Sequence, residues 1–451
     1  MKRFALAFAT VLALAVPAFA QSDTNLAAFR GLAAVSVLEA TPAGKAALAA
    51  NLTATGKIQD GTSEQPALQP FADQQQQALR DATSTVANAR QLAEGLGTRL
   101  GGVYQTLATW SSTDNGKTVT STNISPAVAR VIAYAHRTSN SDSATAKSFL
   151  GDMTLPGNIK VSEAAAAILP ARNGVADIFG RAYDLAAGTP GAGVLGNNRP
   201  FQTEPHLLTF RGKNIYGVPS HSLSYLVGPG QDLRANPSFP SGHTTYGFTQ
   251  GVLLAILVPE RYAEMVARAA EFGNSRIVLG AHYAMDVLGG RTLALYDLAH
   301  LLANAKGYVG VDRDGVKVDD FPKAVAEARA DVVKVLEAAC GGKLGLCARD
   351  DHGRFADPAK VQAFYESTQT YGLPVVYAMR AAPVDFDKVA PDAGHLLTAA
   401  FPKLSLKEAN AILTATQGPG GGFLDDGSAF GVYSRLDLYR AGQVARDAKT
   451  R

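Results

Sequence analysis

Two cysteines in 451 residues are too few for a disulfide framework, and without a second pair they cannot complete a cysteine-held zinc site. Cys340 and Cys347 bracket GGKLGL, and in an exported chain that spacing predicts one small local disulfide loop. Charge of one sign is equally scarce. The 42 basic and 39 acidic residues nearly cancel, so nothing favours a nucleic-acid polymer as partner. Beyond the N-terminus no apolar run reaches the roughly 20 residues of a membrane span, so the chain is not expected to be membrane-embedded. No segment of the central region alternates with period two for long enough to argue a sheet, and there is no internal repeat. What remains is a globular, helix-forming chain long enough to bury a large core.

The opening, MKRFALAFATVLALAVPAFAQS, pairs Lys2 and Arg3 with an apolar run to Val16 and then Ala18-Phe19-Ala20. It reads as a secretory signal peptide cleaved after Ala20, which makes the mature chain periplasmic or secreted. Loss of Lys2 and Arg3 takes the formal charge from +3 to +1. Residues 21–120 show helical spacing over Phe71–Leu96 and Leu100–Trp110, with QQQQ at 74–77 as a polar face. Ser125-Pro126 then caps a further helix, followed by a loop rich in Ser, Thr and Asn to about Asp142. His136, in that helix, reads as a surface histidine. Val161–Ala187 is helical again, and the connection Phe201–Asn236 reads as a long loop carrying His206 and His221, each either lining the pocket against the leaving group or a loop histidine with no role.

The chemistry concentrates in residues 237–291. Pro240-Ser241-Gly242-His243 stands just ahead of an apolar helical run, so free amides gather at a helix N-terminus, a ready site for an anion. Further on, Ser275-Arg276-x5-His282-x3-Asp286 places His282 and Asp286 four residues apart on one face of a helix expected over His282–Leu302, where the carboxylate holds the imidazole. An arginine, two histidines, an orienting aspartate and a helix N-terminus are the parts for phosphoryl transfer through a covalent histidine intermediate.

Those eight positions, in that order, resemble the type 2 phosphatidic acid phosphatases, a superfamily that includes class A bacterial acid phosphatases and vanadium-dependent haloperoxidases. The resemblance implies an all-α helical bundle and an exported acid phosphatase acting on small phosphate monoesters with no metal or other cofactor. His282 would be the nucleophile, Asp286 its partner and His243 the proton donor, while Arg199, Ser241, Gly242 and Arg276 bind phosphate. The upstream signature of the family, Lys-x6-Arg-Pro, is present only as Arg199-Pro200; Ala192 stands at the lysine position, with Arg172 and Arg181 as more distant cations. Two alternatives stay open: a haloperoxidase holding vanadate on His282, and a catalytically weakened protein that binds phosphate or lipid phosphate.

The chain then divides into a signal peptide at 1–20, an N-terminal helical region at 21–120, a phosphatase core bundle at 121–305 and a C-terminal region of helices and loops at 306–451. Its DRDG and DDHGRFADP stretches lack the ligand order of a calcium loop. The C-terminal region either completes the bundle or covers the pocket; its sequence assigns it no chemistry.

Overall fold

The computed structural model describes residues 23–33, 38, 40–82, 89–108, 110–113, 118–121, 124–151, 154–155, 159–160, 199–203, 207–228, 231–234, 236–349 and 353–450. The expected signal peptide, the helix over 161–187 with Arg172 and Arg181, and also Ala192 and His206, lie outside them. The described chain is all-α, and its strands occur only as short two-stranded hairpins.

Four helices carry the N-terminal layer: α1 (Asp23–Ala33), α2 (Pro42–Asp60), α3 (Phe71–Asp81) and α4 (Thr98–Leu107). Pro42 occupies the first turn of α2, Thr41 Oγ1 accepts the Gly44 amide at 3.0 Å, and Gly61 ends the helix with φ 78°. The helix expected over 71–96 stops at Asp81, and Arg90–Leu96 forms a 3-10 turn. Trp110, expected at a helix end, instead begins a hairpin of β1 (Trp110–Thr113) and β2 (Thr118–Ser121).

Next comes α5 (Pro126–Gly151), which runs straight through the stretch expected to be a loop up to Asp142. The reason is tertiary. Its Ser, Thr and Asn residues are poor helix formers in isolation, yet Thr138, Ser139 and Ser143 are buried and Ser139 and Asn140 accept hydrogen bonds from Thr249 and Tyr246 of a neighbouring helix, so packing overrides propensity. His136 is likewise buried, not on the surface.

The centre of the bundle is α7 (Gly242–Leu257), α8 (Tyr262–Val278) and α9 (Ala284–Leu302), reached from a hairpin of β3 (Arg211–Lys213) and β4 (Pro219–His221) through the short α6 (Ser222–Leu226). Nearly every residue of α7 and α9 is buried, as their all-round apolar sequence demands. A Cβ on Gly247 would lie 2.2 Å from the Phe272 ring, and one on Gly290 would lie 2.4 Å from the Ser241 carbonyl. Those two glycines therefore set how closely α8 and α9 approach α7. The N-terminal layer finishes the end of α9: Asn51 Oδ1 accepts the Met285 amide at 2.9 Å and Thr55 Oγ1 the Ala284 amide at 3.0 Å. Asp142 of α5 and Asp297 of α9 meet in the interior, where Tyr308 donates its hydroxyl to Asp297.

After α10 (Phe321–Cys340) the Cys340–Cys347 disulfide closes the helix end, as expected. Of the longer helices that follow, α11 (Pro358–Ser367) and α13 (Leu438–Thr450) pack against α8, and α12 (Leu406–Thr416) packs against α13. Arg291 of α9 anchors them: its guanidinium donates to the carbonyls of Thr368 (3.4 Å) and Leu436 (3.2 Å) and lies 4.7 Å from the Tyr365 ring centre. Among the described residues no helix is long and apolar enough to cross a membrane.

Candidate active site

The residues singled out from sequence converge at one end of the central helices. Arg276 sits in the last turn of α8, after which the Ala281 amide bonds back to the Arg276 carbonyl and delivers His282 just ahead of α9. His282 thus precedes the helix instead of sharing a face of it. Asp286 still reaches it, because the third residue of α9 points its carboxylate back over the helix start: Oδ2 accepts the Tyr283 amide at 2.9 Å and lies 3.2 Å from His282 Nδ1. Ser238, 3.3 Å from the same ring nitrogen, donates its hydroxyl to Asp286 Oδ2.

Arg199 settles the tautomer. Its Nη1 lies 3.1 Å from His282 Nε2, and a guanidinium can only donate, so Nε2 is the bare nitrogen and Nδ1 carries the proton toward Asp286. The rest of the Arg199 fork is fixed by carbonyls: Nε to Asn236 O at 2.8 Å, Nη1 to Ala281 O at 2.9 Å, and Nη2 to Asn236 Oδ1 at 2.9 Å and Pro237 O at 3.1 Å.

At the N-terminus of α7, Ser241 serves the helix itself. Its Oγ accepts the Thr244 amide at 3.2 Å and its own amide donates to the Asp286 carbonyl at 3.0 Å. The amides of Gly242 and His243, the next two, have no acceptor among the described residues. Half-buried His243 meets the Tyr225 hydroxyl at 2.8 Å through Nε2. That hydroxyl accepts from Arg276 Nη1 at 3.4 Å, which turns its own proton toward His243. The buried Arg276 leaves Nε and Nη2 without a partner among the described residues.

Electrostatics follow from crowding cations into a dry site. Burial, reinforced by Arg199, Lys147, His243 and Arg276, holds His282 well below the usual imidazole range. Burial and then Arg276, Arg199 and Lys147 do the same for His243. Burial pushes Asp286 up to about 6 against the pull of Ser238, Tyr283, Lys147 and Arg199. Both histidines are therefore neutral well into acid pH.

Sequence reading missed Tyr225, Ser238, Asn236 and Lys147. Ser238 and Asn236 flank the Pro-Ser-Gly-His stretch and were within sight of it; Tyr225 and Lys147 have no local signature. His136 lies one layer back: Gln250 Nε2 contacts its Nδ1 at 3.0 Å, its ring stands 4.6 Å from Tyr246, and burial lowers its pKa to about 4. His221 accepts the Leu223 amide at 3.1 Å and caps α6. Ser275 faces away from the site and donates to Asp81 at 2.8 Å. Among the described residues no group of three or more His, Cys, Asp or Glu is arranged to hold a metal ion.

Residues 195–304 match the family model described as the PAP2 superfamily. A non-specific acid phosphatase of Salmonella typhimurium is 32% identical over 120 residues, which is 27% of this chain and 39% of the relative. An acid phosphatase of Zymomonas mobilis is 44% identical over 75 residues, 17% of this chain and 28% of the relative. A non-specific acid phosphatase of Salmonella typhi is 42% identical over 69 residues, 15% of this chain and 28% of the relative. The chain thus spans well under half the length of these curated relatives.

Proposed function

We propose that this chain is an exported acid phosphatase that hydrolyses small phosphate monoesters through a phosphohistidine on His282, without a metal. The observation that carries the reading is the bare Nε2 of His282, held by Arg199 and Asp286 beside the unpartnered N–H groups of Arg276. The ester phosphate is bound by Arg276, by the amides of Gly242 and His243, and by the Arg199 Nη1 proton that leaves His282 Nε2 as phosphorus approaches that nitrogen.

His282 Nε2 donates its lone pair to phosphorus and the ester P–O bond breaks. The departing alkoxide takes a proton from His243. That imidazole, neutral in the free protein, becomes easier to protonate as the anionic ester enters, because a nearby negative charge favours its charged form. As the His282 ring turns cationic, Asp286 stabilises it through Nδ1–H. A water then attacks phosphorus, His243 accepts its proton, and the P–N bond breaks to return Nε2 and release phosphate.

The test is hydrolysis of p-nitrophenyl phosphate by the mature protein between acid and neutral pH in the presence of chelator, together with acid-labile phosphate trapped on the protein by rapid quenching. The expected result is chelator-resistant turnover that falls about ten-thousandfold in His282→Ala and leaves no labelled protein in that variant. Turnover that survives the substitution, or disappears with chelator, overturns the mechanism. Export is tested separately by the mass of the periplasmic or secreted product, expected to begin at Gln21.

A further inference from the structure

Tyr225 reaches the site from outside the three central helices. It sits on α6, whose start is capped by His221 and whose end runs into a small hairpin of Val227–Gly228 with Gln231–Asp232. The anchors of α6 do not involve the tyrosine ring. The Ser222 amide donates to the Phe210 carbonyl and the Ser222 hydroxyl accepts the Phe210 amide, each at 3.1 Å, while the Leu226 carbonyl accepts the Leu233 amide at 3.0 Å. Ser222 and Leu226 are buried, but Tyr225 is half-buried, so its side chain borders both the site and the solvent.

The Tyr225 hydroxyl stands 2.8 Å from His243 Nε2 and accepts from Arg276 Nη1 at 3.4 Å. Phosphoryl transfer needs both of those groups, one to protonate the leaving oxygen and one to bind the phosphate. A single neutral oxygen therefore bridges the two points between which an ester oxygen has to lie. A ring nitrogen carries either one proton or one lone pair. While Nε2 is engaged with Tyr225, it can neither give a proton to an ester nor take one from water. The hydroxyl also satisfies the site poorly: Arg276 Nε and Nη2 are buried and have no partner among the described residues, and Arg199 and Lys147 add their charge nearby. A phosphate dianion answers those cations more strongly than a neutral hydroxyl does.

We propose that Tyr225 is an internal stand-in for the substrate: its hydroxyl holds the position of the leaving oxygen in the free protein, and the ester displaces it toward the half-open mouth. The proposal rests on the phosphatase reading. Binding then includes the cost of opening, and the apparent affinity for any phosphate falls by the fraction of molecules already open. Product phosphate meets the same competitor, because the returning hydroxyl takes back Nη1 and Nε2.

The test is competitive inhibition of p-nitrophenyl phosphate hydrolysis by orthophosphate and by vanadate in the parent, Tyr225→Phe and Tyr225→Ala, with thermal unfolding alongside. If the tyrosine closes about nine molecules in ten, both Ki values tighten about tenfold in Tyr225→Phe, and at least as far in Tyr225→Ala. A tyrosine that merely orients His243 gives another pattern, a lower kcat with Ki unchanged or weakened, and that result in folded Tyr225→Phe overturns the proposal. Where a variant turns over too slowly for a Ki, calorimetric titration with orthophosphate reads the same change in affinity. A crystal of the parent with vanadate decides independently. A vanadate oxygen beside His243 Nε2 with the Tyr225 hydroxyl moved away supports the assignment; the hydroxyl still on Nε2 beside bound vanadate refutes it. A parent that neither turns over p-nitrophenyl phosphate nor binds vanadate brings down the phosphatase reading, and this proposal with it.

Discussion

Two clusters of buried charge flank the end of α8, and adjacent residues face each of them. Ser275 points into the first, where Asp81, Glu94 and Glu271 meet Arg80, Arg268 and Arg354. Arg354 spans Glu94 and Glu271 at 2.7 Å, and although burial raises the Glu94 pKa, Arg268, Arg354 and Arg80 outweigh it and hold it at about 2. Arg276 points into the second, where Arg199, Lys147 and Arg276 surround Asp286. The first cluster is balanced and ties α3, α8 and the segment around Arg354 together. The second carries surplus positive charge, and its spare donors face a helix N-terminus. Balance marks a clamp; surplus marks a place for an anion.

The sharpest way to break that contrast is to remove one arginine from each cluster. Arg268→Met strands Asp81 in the interior and should cost about 3–5 kcal/mol in urea unfolding, with kcat of the folded fraction unchanged. Arg276→Met should do the reverse, lowering kcat/KM about a thousandfold with little loss of stability. If both variants lose stability alike, the clusters do not differ in kind.

Orthophosphate sharpens the same comparison. At a hundred times its Kd it should stabilise the parent by about 2.7 kcal/mol, seen as a rise in melting temperature, and should stabilise Arg276→Met far less. Reducing the Cys340–Cys347 loop, in neither cluster, should cost about 2 kcal/mol and leave turnover intact.

The smallest effect belongs to the interior acid pair. Burial and then Asp142 push the Asp297 carboxyl well above its usual range, so the folded chain holds a proton that the unfolded chain releases. The stabilisation is complete below the ordinary carboxyl range and is lost as pH rises toward the raised value, by at most about 1.4 kcal/mol per pH unit. Urea midpoints against pH should be flatter in Asp297→Asn; parallel profiles would place the dependence elsewhere.

The second cluster was legible in part. Pro-Ser-Gly-His and Arg-x5-His-x3-Asp could be read because each is local, its members within a turn or two of one another. Lys147 could not: it lies 90 residues from the Pro237 carbonyl it contacts, just past a stretch to about Asp142 whose serines, threonine and asparagine speak for a loop until α7 is laid beside them. Asn51 and Thr55 are hidden in the same way, since a helix end 234 and 229 residues away gives no sign of which side chains will cap it. Even the His282–Asp286 pair, whose contact was expected, came about differently, from a helix start and not from a helix face.

Arg291 bears on how such a chain can be cut and rebuilt. Its guanidinium borrows carbonyl oxygens from Thr368 and Leu436, so the family-matched stretch ending at 304 is not a separable cassette. Expressed alone, it would present a naked cation on an apolar wall. The added C-terminal layer is a backing plate, joined to the face of α9 behind the chemistry, and it leaves the mouth around Tyr225 and His243 free to be remodelled without touching the joint.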